Sequence, residues 1–279
     1  MRSKIKFALG AASMALLSIL PSCDIDKNDR YIEMPTPEMK RTVLLMDFTG
    51  QACVNCPQAH DVMEELVKQY GDTALITVSI HAGGLAIPVE KTNFERNQIG
   101  LMIKQGQEIN DAFGIDMWPM GVVDRINDTG AAINADQWPT AVRKALEEEP
   151  GATLELRASY NPADSIISIE GRAFSTEARK AAMQFWIVED SIVARQLSKG
   201  GMIPDYIHNN VLRDVVYPVK SGEPMELAKD VWKEVNAQVK TKWTAQERWE
   251  VRHLSVVAFA SEGSKILNAK KVKVEVPAE

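Results

Sequence analysis

The sequence predicts an exported protein in which an α/β domain precedes an all-β domain. In the first half, a short apolar run over residues 43–46 is followed by a helical pattern of apolar residues that ends at Gly71. This combination is typical of a buried strand and a packed helix. From Gly151 onward, short segments of alternating apolar and polar residues are separated by turn residues, which favours antiparallel sheets. A length of 279 residues fits two domains.

The N-terminus is predicted to be a secretory signal peptide over residues 1–22. Three basic residues precede an apolar stretch, residues 7–20, that is too short for a comfortable membrane span. The basic residues are Arg2, Lys4 and Lys6. The following Leu20-Pro21-Ser22-Cys23 resembles the lipobox of bacterial lipoproteins, which implies that Cys23 is acylated and anchors the protein in a membrane. Ordinary cleavage nearby is the alternative.

Residues 23–38 are predicted to form the lipidated N-terminus and a solvated tether, because they are acidic, contain two prolines and hold few apolar side chains. Asp24, Asp26 and Asp29 resemble the acidic signals by which some Gram-negative anaerobes bring lipoproteins to the cell surface. A plain tether is an equally good interpretation. We therefore expect an outer-membrane lipoprotein that faces either the periplasm or the cell surface.

The charge of the chain excludes some classes of partner. The formal net charge is −6, and removing the three basic residues of the signal peptide takes it to −9. An acidic protein is repelled by nucleic acid and by anionic membrane surfaces. We expect no nucleic-acid partner, and membrane contact only through the lipid anchor.

Residues 39–150 are predicted to form the α/β domain. In chain order we expect a buried strand, a helix, a second strand, a hairpin and a last helix. Their predicted ranges are 43–48, 57–70, 74–80, 122–134 and 136–146.

The pair in Cys53-Val54-Asn55-Cys56-Pro57 lies between the first strand and the first helix. A helix N-terminus carries unsatisfied N–H groups and partial positive charge, which favour a thiolate over a thiol. Since the thiolate is the nucleophile, this position favours a redox-active pair. A structural disulfide is the weaker interpretation, because a three-residue separation closes too small a loop to stabilise the fold much.

This order of strand, Cys-x-x-Cys and helix resembles the thioredoxin fold. Asp47 lies six residues before Cys53, where thioredoxins often carry an acid. The resemblance implies that Asp47 is a buried carboxylate of raised pKa that accepts the proton of Cys56, the resolving cysteine, while Cys53 is the exposed nucleophile. Residues 113–119 resemble the segment that leads to the cis-proline of the family, which implies that Pro119 lies opposite the disulfide and presents backbone to a substrate.

The chain departs from the simplest thioredoxins in the segment between Cys56 and Pro119, which is longer here. We expect the additional residues to lie around 83–109, with an extra helix over 92–103. An alternative function as a metal site would use Cys53, Cys56, His60 and His81. Histidines on a helix are more often surface or capping groups, so we expect neither a metal nor a cofactor.

Residues 151–279 are predicted to form an antiparallel, immunoglobulin-like β-sandwich. The expected strands cover residues 153–160, 166–174, 184–189, 233–243, 252–260 and 269–276. Residues 200–217 are predicted to be a long irregular excursion, and such loops often carry binding residues. The candidate binding residues are His208, Asn209 and Arg213. The alternative is that these side chains fix the loop to its own sandwich.

Two segments together resemble a known family. These are Thr49-Gly50-Gln51-Ala52-Cys53-Val54-Asn55-Cys56-Pro57 and His208-Asn209-Asn210-Val211-Leu212-Arg213. The chain resembles the outer-membrane lipoproteins of Gram-negative anaerobes that are named for a protein of roughly 28 kDa, and this fold does not fix the function. The resemblance would cover nearly the whole mature chain, and it implies architecture and location more than chemistry.

Two functions remain open. The first is a membrane-anchored thiol-disulfide oxidoreductase that acts on protein thiols or disulfides through Cys53 and Cys56. The second is a surface adhesion or binding lipoprotein that uses the thioredoxin fold as a scaffold. An exposed Cys53 beside Pro119 would favour the first, whereas a lid from residues 83–109 over the pair would disfavour it.

Overall fold

The computed structural model describes residues 37–96 and 98–277. The predicted signal peptide, the lipidation residue Cys23 and most of the tether therefore lie outside the described residues. The described chain is mostly β-sheet with three α-helices. The helices are α1 (Cys56–Tyr70), α2 (Lys104–Phe113) and α3 (Trp138–Leu146).

The strands form one eight-stranded sheet, one three-stranded sheet and one two-stranded hairpin within the described residues. In chain order they are β1 (Val43–Thr49), β2 (Leu75–His81), β3 (Met120–Val123), β4 (Thr153–Asn161), β5 (Ile166–Phe174), β6 (Arg179–Glu189), β7 (Ile192–Ser198), β8 (Gly201–His208), β9 (Val211–Val215), β10 (Glu223–Leu227), β11 (Lys233–Lys240), β12 (Leu254–Glu262) and β13 (Lys265–Lys273).

The first half follows the predicted order of strand, helix, strand and terminal helix. The apolar run becomes β1, in which all seven residues are buried because helices and strands cover both faces of the sheet. Helix α1 ends at Gly71, whose φ of 81° is accessible to glycine at little cost, and its N–H group bonds to the carbonyl of Val67. Strand β1 pairs in parallel with β2 and antiparallel with β3.

The large sheet continues from these strands into the second half of the chain. Its order is β13-β12-β6-β9-β2-β1-β3, with β10 paired to β6. The two halves meet where β2 pairs in parallel with β9, at Ser79 and Val211. The N–H group of Ser79 donates to the carbonyl of Asn210 at 2.8 Å. Segments predicted as separate domains therefore share one sheet.

The hydrophobic core is also continuous across the two halves. On one face of the large sheet, Leu44 and Met46 of β1 belong to the same buried cluster as Trp186 of β6 and Phe259 of β12. Alternate residues of these strands point to the opposite face. There Leu45 packs in a cluster with residues of α1 and α3.

The same opposite face forms a β-sandwich farther along the sheet. The three-stranded sheet β11-β5-β4 packs its apolar residues against β6 and β12. Ile167 and Ile169 of β5 share a buried cluster with Phe185 and Ile187 of β6. The predicted antiparallel sandwich is confirmed, and all six strands predicted for it are present.

Two predicted elements are wrong. Residues 92–103 do not form a helix, because Gly100 lies so close to the backbone of Pro88 that a Cβ would approach its carbonyl oxygen to 2.1 Å. The chain folds back there instead, with a short 3₁₀ turn at Phe94–Arg96. Residues 200–217 are not an irregular excursion, since they hold β8 and β9. Pro204 hides the strand pattern of β8, which in the described part of the chain pairs only with β7 and so tolerates a proline.

None of the helices in the described part of the chain is long and apolar enough to cross a membrane.

A buried ion pair fixes the start of β1 to the rest of the protein. The guanidinium of Arg41 contacts the carboxylate of Asp124 and donates to the carbonyls of Ala145 at 3.1 Å and Leu267 at 2.8 Å. Asp124 also accepts the N–H of Leu44 at 2.7 Å. Burial raises the pKa of Asp124 to about 6 although Arg41 opposes the shift. The ionised form of this buried carboxylate is therefore stabilised by the positive charge of Arg41.

Replacing Arg41 by Ala is expected to lower the free energy of unfolding by about 3–5 kcal/mol, because it leaves a buried carboxylate without its partner. Urea titration at pH 7 measures the change. Arg143→Ala is the matched control, because Arg143 forms an exposed pair with Glu147 and its loss should cost about 0.5 kcal/mol or less. Equal losses in the two variants would contradict the assignment.

Candidate functional site

The candidate site is built around a disulfide between Cys53 and Cys56, with an S–S distance of 2.08 Å and a Cα–Cα distance of 5.4 Å. Cys56 is the first residue of α1, and Pro57 follows in the first turn, where its missing N–H group is not needed. No side chain caps this end of the helix. The N–H group of Cys56 donates to the carbonyl of Cys53, and that of Gln58 donates to the carbonyl of Asn55. The positive end of the helix dipole therefore lies at the disulfide, where it stabilises a thiolate when the bond opens.

The disulfide is buried, so the expected exposure of Cys53 is wrong. Cys53 is 2% exposed and Cys56 is 0% exposed. The reason is the hairpin of β7 and β8, which packs over the cysteine loop. The buried side-chain amide of Gln196 donates to the carbonyls of Gly50 at 3.2 Å and Cys53 at 3.0 Å. The N–H group of Leu197 donates to the carbonyl of Gln51 at 2.8 Å.

The segment after β2 also packs against the cysteine loop. The N–H group of Ala52 donates to the carbonyl of Leu85 at 2.8 Å. A Cβ at Gly50 would lie 2.6 Å from the carbonyl oxygen of Leu85, so this approach requires glycine. The buried side chain of Gln51 accepts the N–H of Ile87 at 2.9 Å. The lid considered for residues 83–109 is therefore present in part, and the β7–β8 hairpin adds to it.

Asp47 lies on β1 and is fully buried, as predicted. Its carboxylate Oδ2 lies 3.2 Å from Nε2 of His60, a residue of α1 that is itself buried. Nε2 also lies 3.1 Å from Oγ1 of Thr49, and the other ring nitrogen, Nδ1, lies 2.8 Å from the hydroxyl of Tyr206. His60 therefore connects β1 with β8. The role of Asp47 as a proton acceptor stays a prediction.

Three histidines and a tyrosine meet beside this contact. The ring centroids of His81 and His208 are 5.3 Å apart, and those of Tyr206 and His208 are 4.8 Å apart. Burial and the neighbouring His208 lower the pKa of His81 well below its usual value. Burial lowers the pKa of His208 to about 3, although the backbone of Ala194 and Arg195 opposes the shift. Both imidazoles are therefore neutral near pH 7.

These side chains line a cavity of about 510 Å³ between α1, β2, the end of β8 and β13. Neither ring nitrogen of His81 has a hydrogen-bond partner among the described residues. The cavity is mixed in character, since Met63 and Ile207 line it together with Ser79 and Lys271. Within residues 37–96 and 98–277, no group of three or more His, Cys, Asp or Glu side chains is arranged to hold a metal ion.

Pro119 follows a cis peptide bond with Trp118 and directly precedes β3. Met120, the first residue of β3, pairs with Phe48 near the end of β1. This register places Pro119 beside the C-terminal end of β1, where the cysteine loop begins. The role of Pro119 in presenting backbone to a substrate stays a prediction.

The predicted binding residues are part of the folded framework. His208 is 2% exposed at the end of β8, and Arg213 is 4% exposed on β9. Arg213 forms a buried ion pair with Glu189 at 3.2 Å. The side chain of Asn209 accepts the N–H of Ser191 at 2.9 Å. These contacts support the alternative interpretation, in which the side chains fix this segment to its own protein.

The sequence gives no signal for the most important contacts of the site. Gln196 and Tyr206 reach the cysteine loop and His60 from more than 140 positions away along the chain. The strand pattern of β7 and β8 could have shown a hairpin, but not the surface that it covers.

Stability is expected to fall as the pH falls below about 6.5, because His208 and His81 bind a proton readily only when unfolded. The pKa of His208 is lowered to about 3, so its contribution is present above pH 6.5 and is lost as the pH falls toward 3. His208→Gln should remove a slope of about 1.4 kcal/mol per pH unit. Urea titrations between pH 7 and pH 4 measure it, with His253→Gln as the control. Equal slopes in wild type and His208→Gln would contradict the assignment.

Comparison with solved structures identifies a similar fold. HBP35 of Porphyromonas gingivalis matches with a TM-score of 0.65 and 13% identity, over 87% of this chain and 79% of that chain. A domain of the outer membrane lipoprotein Omp28 from Porphyromonas gingivalis matches with a TM-score of 0.33 and 16% identity, over 46% of this chain and 92% of that domain. The first likeness shows the fold alone, and the second is too weak to support an argument. No curated protein matches the chain.

Comparison with protein families gives a match to outer membrane protein Omp28 over residues 106–277, which is more than half of the chain. The match does not include the segment with Cys53 and Cys56, so the expected resemblance over nearly the whole mature chain is not reached. It does include the sandwich and the His208–Arg213 segment. The predicted location in the outer membrane is confirmed by this match, whereas the lipid anchor at Cys23 stays a prediction, and the chain belongs to the Omp28 family of outer membrane proteins.

Proposed function

We propose that this outer-membrane protein exchanges thiols and disulfides with client proteins through Cys53 and Cys56. The observation that carries the proposal is the disulfide at the uncapped first turn of α1. A helix N-terminus lowers the free energy of a thiolate, and the thiolate is both the attacking and the leaving group in disulfide exchange.

The proposal also assigns a thioredoxin-like fold to residues 39–150 and an immunoglobulin-like type to the sandwich. Support for the first comes from the strand pairing, in which β1 lies between a parallel β2 and an antiparallel β3. It also comes from the position of α1 directly after the cysteine loop. Support for the second comes from two antiparallel sheets that pack face to face.

In the proposed reaction, a client thiolate attacks Sγ of Cys53 and forms a mixed disulfide, while the bond to Cys56 breaks and Cys56 leaves as a thiolate. A second client thiol then loses its proton, attacks the mixed disulfide and releases Cys53. The client is oxidised by two electrons, and the protein disulfide is reduced to two thiols. The reverse sequence reduces a client disulfide.

The burial of the disulfide sets a condition on this reaction. A client sulfur must approach Cys53 in line with the S–S bond, but Gln196 and Leu197 of β7 hold the hairpin on the cysteine loop. The β7–β8 hairpin must therefore move before exchange. Since four hydrogen bonds of modest net strength join it to residues 50–53 and to His60, this motion is within reach of thermal fluctuation or client binding.

The second candidate function is a binding lipoprotein in which the disulfide is structural. The buried disulfide favours this function, and so do four exposed apolar side chains on the β7–β8 hairpin. These are Val193, Met202, Ile203 and Ile207, which are between 37% and 57% exposed. Such residues on one hairpin are typical of a contact surface.

The decisive experiment is catalysis of protein disulfide reduction by the purified protein in the presence of dithiothreitol. We expect the wild type at catalytic concentration to accelerate the reaction and the Cys53→Ala/Cys56→Ala variant to lose this activity completely. A variant with Met202→Ser and Ile207→Ser tests the binding function, because it removes two of the exposed apolar side chains of the β7–β8 hairpin. If the wild type and the double cysteine variant give the same rate, the disulfide is structural and the second candidate function stands.

A further inference from the structure

Strand β2 presents a series of polar side chains to the cavity beneath helix α1. Thr77, Ser79 and His81 are alternate residues of the strand, so they share one face at intervals of about 6.6 Å, and all three line the cavity. Every residue of β2 is buried, and such strands usually carry branched apolar side chains that fill the space next to a helix. The small side chains of Thr77 and Ser79 leave this space open instead.

His81 is a polar group that the fold leaves without a partner. It is 2% exposed and lines the cavity, and neither of its ring nitrogens finds a hydrogen-bond partner within the described residues. A neutral imidazole offers one N–H donor and one lone pair. A buried group of this kind destabilises the folded protein unless a bound molecule meets it. The position of His81 is therefore better suited to a ligand than to folding.

Lys271 of β13 brings a positive charge to the same face of β2. Its ammonium contacts the side-chain oxygen of Asn210, whose main-chain carbonyl accepts the N–H of Ser79 at 2.8 Å. Lys271 therefore lies near Ser79, which is two residues from His81. Burial lowers the pKa of Lys271 although Asp190 opposes the shift, and the carboxylate of Asp190 also accepts the N–H of Asn210 at 2.8 Å. An ammonium that is only partly compensated, next to a hydroxyl and an imidazole, favours an anionic group.

The other charged side chains that line the cavity balance one another. Lys68 and Glu64 form an exposed pair on α1 at 3.9 Å. Asp72 and Lys273 are exposed as well and carry opposite charges. The preference for one sign of charge therefore comes from the groups beside Ser79.

The remaining lining residues are suited to an apolar body. Met63 and Val67 of α1, Ile76 of β2 and Ile207 of β8 all line the cavity. Ile207 is 57% exposed although it is apolar, so a ligand would cover it. The volume of about 510 Å³ lies within the range of about 300–1,000 Å³ that is common for small-molecule sites.

We propose that this cavity binds a small amphipathic carboxylate, with its charged end at Ser79, His81 and Lys271 and its apolar body along α1 and Ile207. The imidazole N–H of His81 donates to one carboxylate oxygen, and the ammonium of Lys271 compensates the charge. This inference goes beyond the proposed thiol exchange and does not depend on it, because it uses the cavity and not the disulfide.

The test compares three probes of equal chain length on the predicted mature chain, residues 23–279, with its disulfide kept oxidised. Octanoate, octanol and octylamine are titrated at pH 7 by isothermal titration calorimetry. We expect the Kd of octanoate to be at least tenfold lower than that of either other probe. The reason is that only octanoate combines an acceptor for His81 with a negative charge for Lys271.

His81→Leu separates binding from folding. It removes both ring nitrogens, so the Kd of octanoate should rise about tenfold or more, as expected for the loss of one hydrogen bond to a charged group. The midpoint of urea unfolding without a probe should stay unchanged or rise, because His81 has no hydrogen-bond partner to lose in the described part of the chain. A purely structural histidine would instead lower this midpoint when replaced.

Lys271→Gln tests the charge separately from the imidazole. It should weaken octanoate by about tenfold and leave the affinity for octanol unchanged, because only the ionic contribution is lost. His253→Leu is the matched control for His81→Leu. His253 lies on the 3₁₀ turn Val251–His253 and not in the cavity lining, so octanoate should bind this variant as it binds the wild type.

Three results would overturn the proposal. The first is equal affinity for the three probes, which indicates unspecific apolar binding, and the second is no binding of octanoate by the wild type. The third is wild-type affinity for octanoate in both His81→Leu and Lys271→Gln, which places the bound probe elsewhere. If His81→Leu fails to fold, Lys271→Gln decides the outcome. None of these results bears on thiol exchange, which the double cysteine variant tests.

Discussion

The pairing of β2 with β9 is the contact on which the rest of the structure depends. It joins the first half of the chain to the second through the N–H of Ser79 and the carbonyl of Asn210. Only two residues separate the end of β8 from the start of β9, so this junction also directs the β7–β8 hairpin back over the cysteine loop. The shared eight-stranded sheet, the buried cluster that spans both halves and the covered disulfide all follow from the same connection.

The covered disulfide reconciles two features that otherwise conflict. The helix N-terminus and the buried Asp47 are suited to thiol chemistry, whereas complete burial of Cys53 and Cys56 is typical of a structural bond. In the proposed exchange, a hairpin that separates from the cysteine loop makes both compatible, because the pair would then react only in the open form. The exposed apolar residues of the hairpin then lie where a client protein would first make contact.

Local patterns predicted much of the fold, and long-range contacts account for what they missed. The apolar run of β1, the glycine stop of α1 and the alternation in the sandwich strands are each signals within a few residues, and each element is present. The hairpin was hidden because Pro204 and the polar residues of β8 resemble a loop. The resemblance to thioredoxins implied that Asp47 is buried, but its contact with His60 and the link to Tyr206 depend on tertiary packing.

The most direct test of this account is the rate at which dithiothreitol reduces the disulfide, compared between wild type and Gln196→Ala. Gln196 holds the hairpin on Gly50 and Cys53, and losing a buried hydrogen-bonding group costs about 1–3 kcal/mol. We expect the wild-type rate to level off at high reductant concentration and Gln196→Ala to be about tenfold faster, with Lys199→Gln, which loses only an exposed contact, unchanged. A wild-type rate that rises linearly with reductant and is unchanged in Gln196→Ala would contradict the account.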